Sequence, residues 1–250
     1  MKERLHKILA QRGLCSRRRA EDLIRAGRVL VNGSIVHALG TLADPEMDDI
    51  SVDGKAIPRP KPPRILALHK PVGYLCTSRI GREHGPTVFD LLPNDRRYFT
   101  VGRLDRDSSG LLLVTDDGRL AERLAHPRYG TKKTYVVETD QALTDDICAR
   151  LCAGVQLDDG LARAEAVSRI TGRRVKIVLS GGKKRQIRRM LLAVGRRVVR
   201  LHRVEIGSYR LGRLPEGVWR ELTDKDIKAL TTSRATGGGR KQKGTQRVSD

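Results

Sequence analysis

Aromatic residues make up only 3% of this 250-residue chain. So few rings argue against a broad stacking platform of the kind that grips many single-stranded bases at once. The four cysteines (Cys15, Cys76, Cys148 and Cys152) are scattered through a chain far larger than the usual disulfide scaffold, and they fit reduced thiols. Cys148 and Cys152 stand four apart on an expected helix face, but no further ligand lies nearby in sequence, so neither zinc nor another metal is expected. No apolar run reaches the roughly 18 residues of a membrane span. The opening residues, Met1 to Lys7, lack the apolar core of a secretory signal. The chain therefore reads as cytoplasmic, with no membrane partner. Acidic residues are also scarce: 50 Lys+Arg face 29 Asp+Glu, for a formal charge of +21. An excess that repels itself this strongly implies a polyanionic partner, held through its phosphates.

Hydrophobic spacing divides what remains. Leu5, Ile8 and Leu9 form one helical stripe within residues 2–12, and Gly13 stops it. Ser16 is placed to cap a second helix that turns Ala20, Leu23 and Ile24 inward and ends at Gly27. Asn32-Gly33, set between two apolar runs, is a strong hairpin signal. These elements form an expected module over residues 2–57. Its first 28 residues hold nine Lys/Arg and three Asp/Glu, a balance of +6. Arg17, Arg18 and Arg19 crowd a helix start, where the helix dipole disfavours cations. That placement points to an external anion, with Arg25 and Arg28 extending the same basic surface.

Residues 58–64 are proline-rich and basic, an extended linker. Residues 65–231 alternate strand and helix patterns without a regular βαβ rhythm, which predicts an α+β domain with a mixed, largely antiparallel sheet. Residues 232–250 carry five Lys/Arg against Asp250 and little to bury, the composition of a disordered basic tail.

Within the larger domain, Gly102-Arg-Leu-Asp-Arg106 sets Asp105 between two arginines, just ahead of an apolar run. A carboxylate kept ionised by neighbouring guanidinium groups is a nucleophile that needs no separate base. Lys133-Thr-Tyr-Val-Val137 is a short strand that turns Tyr135 to one face. Between Arg173 and Arg203 lie twelve Lys/Arg and no Asp/Glu. In that block Arg188 sits beside the stripe of Ile187, Met190, Leu191 and Val194, where helix meets core. A buried arginine requires a buried carboxylate, and Asp105 is the candidate.

Leu5-His-Lys-Ile-Leu-Ala10, Ser16-Arg-Arg-Arg-Ala-Glu21 and Ile24–Gly33 together resemble the S-four-type RNA-binding domain. Lys70-Pro-Val-Gly73, Gly85–Pro93, Gly102-Arg-Leu-Asp105 with Ser109-Gly-Leu-Leu-Leu113, Lys133-Thr-Tyr135 and Lys184–Met190 resemble the pseudouridine synthases. The likeness is to the branch that carries such a module and acts on ribosomal RNA. The match departs from the family pattern at Ser109 and over Gly181–Lys184, where no catalytic group is lost. The resemblance implies that Asp105 is the catalytic aspartate and that Tyr135 packs on the target base and assists proton transfer. It implies that Arg188 pairs with Asp105, and that Arg103 occupies the space a flipped nucleotide leaves. Lys70, Lys184 and Arg185 join Arg103 as expected substrate contacts.

The implied reaction detaches uracil at N1 and reattaches it through C5, with no cofactor. Attack of Asp105 on the ring, attack on the sugar, and removal of a sugar proton all remain open. The target must be flipped out of its stack, and the basic surface supplies the binding energy for that. The segment Gly154–Gly160 and the basic tail make the chain most similar to the enzymes of large-subunit (23S) RNA; the expected partner is that RNA in a precursor or assembly intermediate, and the expected enzyme is a monomer. Three alternatives remain: a 16S target, a non-catalytic ribosome-assembly factor, and a metal-dependent nuclease using Asp105, Asp107, Asp116 and Asp117.

Overall fold

The computed structural model describes residues 1–59, 62–77 and 84–231. The expected tail and part of the expected linker lie outside the described residues. At the N-terminus, β1 (Glu3–Arg4) runs into α1 (Leu5–Gln11), whose Leu5, Ile8 and Leu9 are fully buried at helical spacing. The Ser16 hydroxyl caps α2 (Arg17–Arg25) by accepting the Arg19 N–H at 3.1 Å. Ala20, Leu23 and Ile24 of α2 share one core with the α1 stripe. β2 (Val29–Val31) and β3 (Ser34–Ile35) are joined by Asn32 and Gly33 at φ 51° and 77°, the two left-handed residues of a tight hairpin turn. β4 (Leu42–Ala43) pairs with β1. Residues 3 and 4, expected in the first helix, are therefore strand instead. β5 (Ile50–Val52) and β6 (Lys55–Ala56) complete a sheet of order β3-β2-β5-β6.

The second part comprises β7 (Ile65–Lys70), β8 (Phe99–Val101), β9 (Ser109–Thr115), α3 (Gly118–Ala125), β10 (Lys133–Thr139), α4 (Asp145–Ala153), the hairpin β11 (Val155–Leu157) and β12 (Gly160–Ala162), β13 (Ala166–Arg169), β14 (Arg174–Leu179), α5 (Gln186–Ala193), β15 (Val198–Ile206), β16 (Tyr209–Arg210), β17 (Trp219–Glu221) and α6 (Asp224–Thr231). One sheet runs β13-β14-β10-β15-β9-β7-β17, with β16 added to β15 and β8 to β9. The fold is α+β. Every pairing among these strands is antiparallel except β15 with β9.

All residues of the central strands β7 and β9 are buried. Alternate residues serve two cores: Ile65, Ala67, Leu111 and Leu113 pack with α3 and α6, while Leu66, Leu68, Leu112 and Val114 pack with Val88, Tyr98 and Leu104. A third core gathers α4, α5, β10 and β14. The halves meet at the parallel joint, where His202 lies opposite Ser109 and Arg203 opposite Gly110. A Cβ on Gly110 would fall 2.3 Å from the Arg203 carbonyl oxygen, so only glycine fits there. The joint leaves the turn ahead of β9 at the boundary between the two halves of the sheet.

Candidate active site

That turn carries Asp105, and the core holds it from below. Leu104 is buried in the core beneath β7 and β9. The Arg106 carbonyl accepts the Gly73 N–H at 2.8 Å, tying the turn to the Pro71–Gly73 bend. Lys70, at the end of β7, is fully buried, and its Nζ donates to the carbonyls of Ser108 at 2.8 Å and Pro71 at 2.9 Å. Burial pushes its pKa down, against the carboxylates above it. Lys70, expected among the substrate contacts, is thus placed beneath the loop, with its ammonium hydrogen-bonded at the floor. Asp105 itself is 38% exposed, at the mouth of the site.

Two arginines approach the loop from the segment leading into α5. Arg185 adopts a left-handed backbone, φ 51°, immediately before the helix, which in a non-glycine residue stores about 1–3 kcal/mol of strain. Its guanidinium grips Asp107 with both nitrogens, Nη1 to Oδ1 at 3.2 Å and Nη2 to Oδ2 at 2.9 Å, and Nη1 lies 3.8 Å from Asp105 Oδ2. Arg188, one turn on and only 13% exposed, donates Nη2 to the Asp107 carbonyl at 2.8 Å and Nη1 to the Val198 carbonyl at 3.3 Å. Its Nε lies 3.3 Å from Asp107 Oδ2. The expected Arg188–Asp105 pair is therefore corrected. The direct partner of Arg188 is Asp107, and Asp105 acts on it only through space. Burial alone would raise the Asp107 pKa, but the Arg185 hydrogen bonds and the charges of both arginines outweigh it and hold it below the usual carboxylate range.

Tyr135, half-buried on β10, packs against the cores on both sides of the joint. Across from it on β15 lies Arg203, 3% exposed, whose guanidinium carbon is 6.0 Å from the Tyr135 ring centre. Arg203 Nε donates to the Leu111 carbonyl at 2.7 Å, while its Nη2 is buried without a hydrogen-bond partner among the described residues. Sequence reasoning missed Arg203 and Asp107 as members of this site. Their one signal was an arginine on an otherwise inward-facing strand position and a second acid two residues past the first. Arg103 and Lys184 are exposed beside the site. In the N-terminal module Arg17, Arg18 and Arg19 are exposed along α2, Arg25 pairs with Asp22 at 3.1 Å, and Arg28 holds Asp53 with two hydrogen bonds of 2.7 and 2.5 Å.

Asp116 and Asp117 follow the far end of β9, about 20 Å along the strand from Asp105. There Asp117 caps α3 through the Arg119 and Leu120 N–H groups. The four acids of the nuclease alternative are thus not gathered. A cavity of about 770 Å³ does open at that far end, between the module and the sheet; Asp116 and Asp117 line it, but Asp105, Asp107, Tyr135 and Arg188 do not.

A family model described as RNA pseudouridylate synthase matches residues 64–193, and one described as S4 domain matches residues 3–50. The chain belongs to the RNA pseudouridine synthase family. It is an isomerase acting on RNA, with an S4 domain at its N-terminus. This synthase is 38% identical over 237 residues to an uncharacterized RNA pseudouridine synthase of Aquifex aeolicus, covering 92% of this chain and 94% of the relative. It is 41% identical over 241 residues to ribosomal large subunit pseudouridine synthase B of Vibrio cholerae, covering 92% and 74%. The Bacillus subtilis protein of that name is 37% identical over 236 residues, covering 91% and 95%. A crystal structure of a pseudouridylate synthase superposes on this synthase with a TM-score of 0.66 at 30% identity, covering 91% of this chain and 99% of that one.

Proposed function

We propose that this synthase isomerises a specific uridine of ribosomal RNA, in the large subunit (23S), with Asp105 as the nucleophile and no cofactor. The relatives named for large-subunit RNA support that target over a 16S one. Residues 2–57 would hold structured RNA through Arg17, Arg18, Arg19, Arg25 and Arg28, and residues 65–231 would carry the chemistry. In the reaction the N1–C1′ bond breaks, the base turns, and a C5–C1′ bond forms. C5 gives up its hydrogen and N1 gains one, so atoms balance without an electron donor.

Asp105 attacks the flipped nucleotide, Tyr135 supplies a flat face for the base and a hydroxyl to relay the C5 proton, and Arg103 fills the vacated stack. The observation that carries this reading is the state of the Asp105 carboxylate. Its side chain is 38% exposed and, among the described residues, has one ion-pair partner, Arg185 at 3.8 Å, while Asp107, itself 45% exposed, takes two hydrogen bonds from Arg185 at 3.2 and 2.9 Å. The test is pseudouridine mapping of ribosomal RNA from cells lacking the gene, complemented with wild type or with Asp105→Asn. One large-subunit site should vanish, return with wild type and stay absent with Asp105→Asn. In vitro the variant should lose at least about 10⁴-fold in rate with RNA affinity kept. Conversion by Asp105→Asn at the wild-type rate would refute the assignment.

A further inference from the structure

The arginines of this site divide unequally between two carboxylates on one loop. Asp107 takes the whole fork of Arg185, at 3.2 and 2.9 Å, and its carbonyl takes Arg188 Nη2 at 2.8 Å, with the Arg188 Nε at ion-pair distance, 3.3 Å, from the carboxylate. Asp105 is left with a single contact at 3.8 Å. A carboxylate gripped by a guanidinium fork has its lone pairs committed to charge-assisted hydrogen bonds and must break them to attack. A carboxylate near the same cations, but not gripped, keeps their field and its own lone pairs.

We propose that Asp107 is the positioning residue of this site: it holds Arg185 and Arg188 beside Asp105 so that the Asp105 oxygens stay free for the nucleotide. The backbone agrees with this. Arg185 has a left-handed backbone that a non-glycine residue does not favour, and in that conformation its guanidinium meets both Asp107 oxygens. Without Asp107 the nearest other carboxylate for that guanidinium is Asp105, already within 3.8 Å. The fork would close on the nucleophile.

This inference rests on the reading of Asp105 as the attacking group, so Asp105→Asn is measured alongside. The charges facing Asp105 are Arg185 and Arg188 from the segment at α5, Lys70 from β7, and Asp107 on its own loop. Removing Asp107 frees Arg185 to engage Asp105. With a ribosomal RNA fragment tritiated at uracil C5, release of tritium to solvent reports turnover. Asp107→Asn should lower kcat about 10²-fold and leave KM within about threefold. Asp107→Glu, which still reaches both arginines, should recover kcat to within about tenfold of wild type. Should Asp107→Asn fail to fold, Asp107→Ser carries the same expectations. Wild-type kcat, a loss confined to KM, or a kcat loss with no recovery in Asp107→Glu would each overturn the proposal. An active Asp105→Asn would instead overturn the reading beneath it.

Discussion

Strand β9 carries an arginine–carboxylate network at each end, and the two are wired differently. At the far end Arg64 donates Nε and Nη2 to Glu221 at 3.0 and 2.7 Å and Nη1 to Asp95 at 2.7 Å. Arg96 holds Asp116 at 2.9 Å, and Asp116 also accepts the Arg64 N–H at 2.8 Å. Burial and the hydrogen bond to Asp95 push Tyr98 up to about 12. Each of those three acids has a guanidinium in contact. At the near end Asp107 is bound just as tightly, yet Asp105, two residues away, is left nearly ungripped. Equal residue types therefore serve opposite ends. A closed network fixes the ends of β7, β9 and β17, and a network with one spare carboxylate leaves a group free to react. The spare group, not the density of charge, distinguishes the site.

The sharpest way to break this contrast is at the joint that holds the near end. Gly110→Ala places a Cβ 2.3 Å from one backbone atom of Arg203 and 2.5 Å from another, at φ 111°. A loss of about 3 kcal/mol or more in urea unfolding is expected. Conversion should fall with it, because Ser109 and the loop held by Lys70 must shift. A fully stable, fully active variant would show that the joint does not position the site. At the far end Asp116→Ala leaves the Arg64 N–H without its acceptor and the mostly buried Arg96 without its closest carboxylate, with the Pro62 carbonyl at 2.6 Å still in place. About 2 kcal/mol of stability should be lost, while kcat per folded molecule stays at the wild-type value. A drop in kcat would mean that the two ends are coupled and that their separate roles are wrong.

The same contrast explains what the sequence disclosed. The Leu5, Ile8, Leu9 stripe and the Asn32-Gly33 turn were legible because each is a local rule with a short period. The run from Leu111 to Val114 announced a strand buried on both faces. The β1–β4 pair was not legible, since two-residue strands have no period to detect. The parallel joint was not legible either, because it unites residues more than ninety apart. Arg188 was correctly placed at the edge of the core, but spacing does not say which of two acids on one turn faces it, and the turn presents Asp107. Lys70 ends a wholly buried strand, and its acceptors are two backbone carbonyls that no side-chain pattern reveals.

The smallest expected effect compares a fully buried lysine with a half-buried one. Lys70 sustains its burial with two carbonyl acceptors at 2.8 and 2.9 Å, whereas Lys133 on β10 reaches only the Leu124 carbonyl at 3.5 Å. Burial, with the charge of Arg203 added, pushes Lys133 from its ordinary 10.5 down to about 8. Between those values the unfolded chain binds a proton that the folded one has released, so stability rises with pH across that window. The penalty is complete below about 8 and fades as pH approaches 10.5. Lys133→Met should therefore stabilise the fold by about 1 kcal/mol at pH 7, once solvent screening of a half-buried group is allowed for. That gain should shrink toward zero by pH 10.5, read as converging urea midpoints. A destabilised variant at pH 7, or a gain that grows with pH, would mean that the Leu124 carbonyl depends on this lysine as the Ser108 carbonyl depends on Lys70. Both cations would then be structural ties.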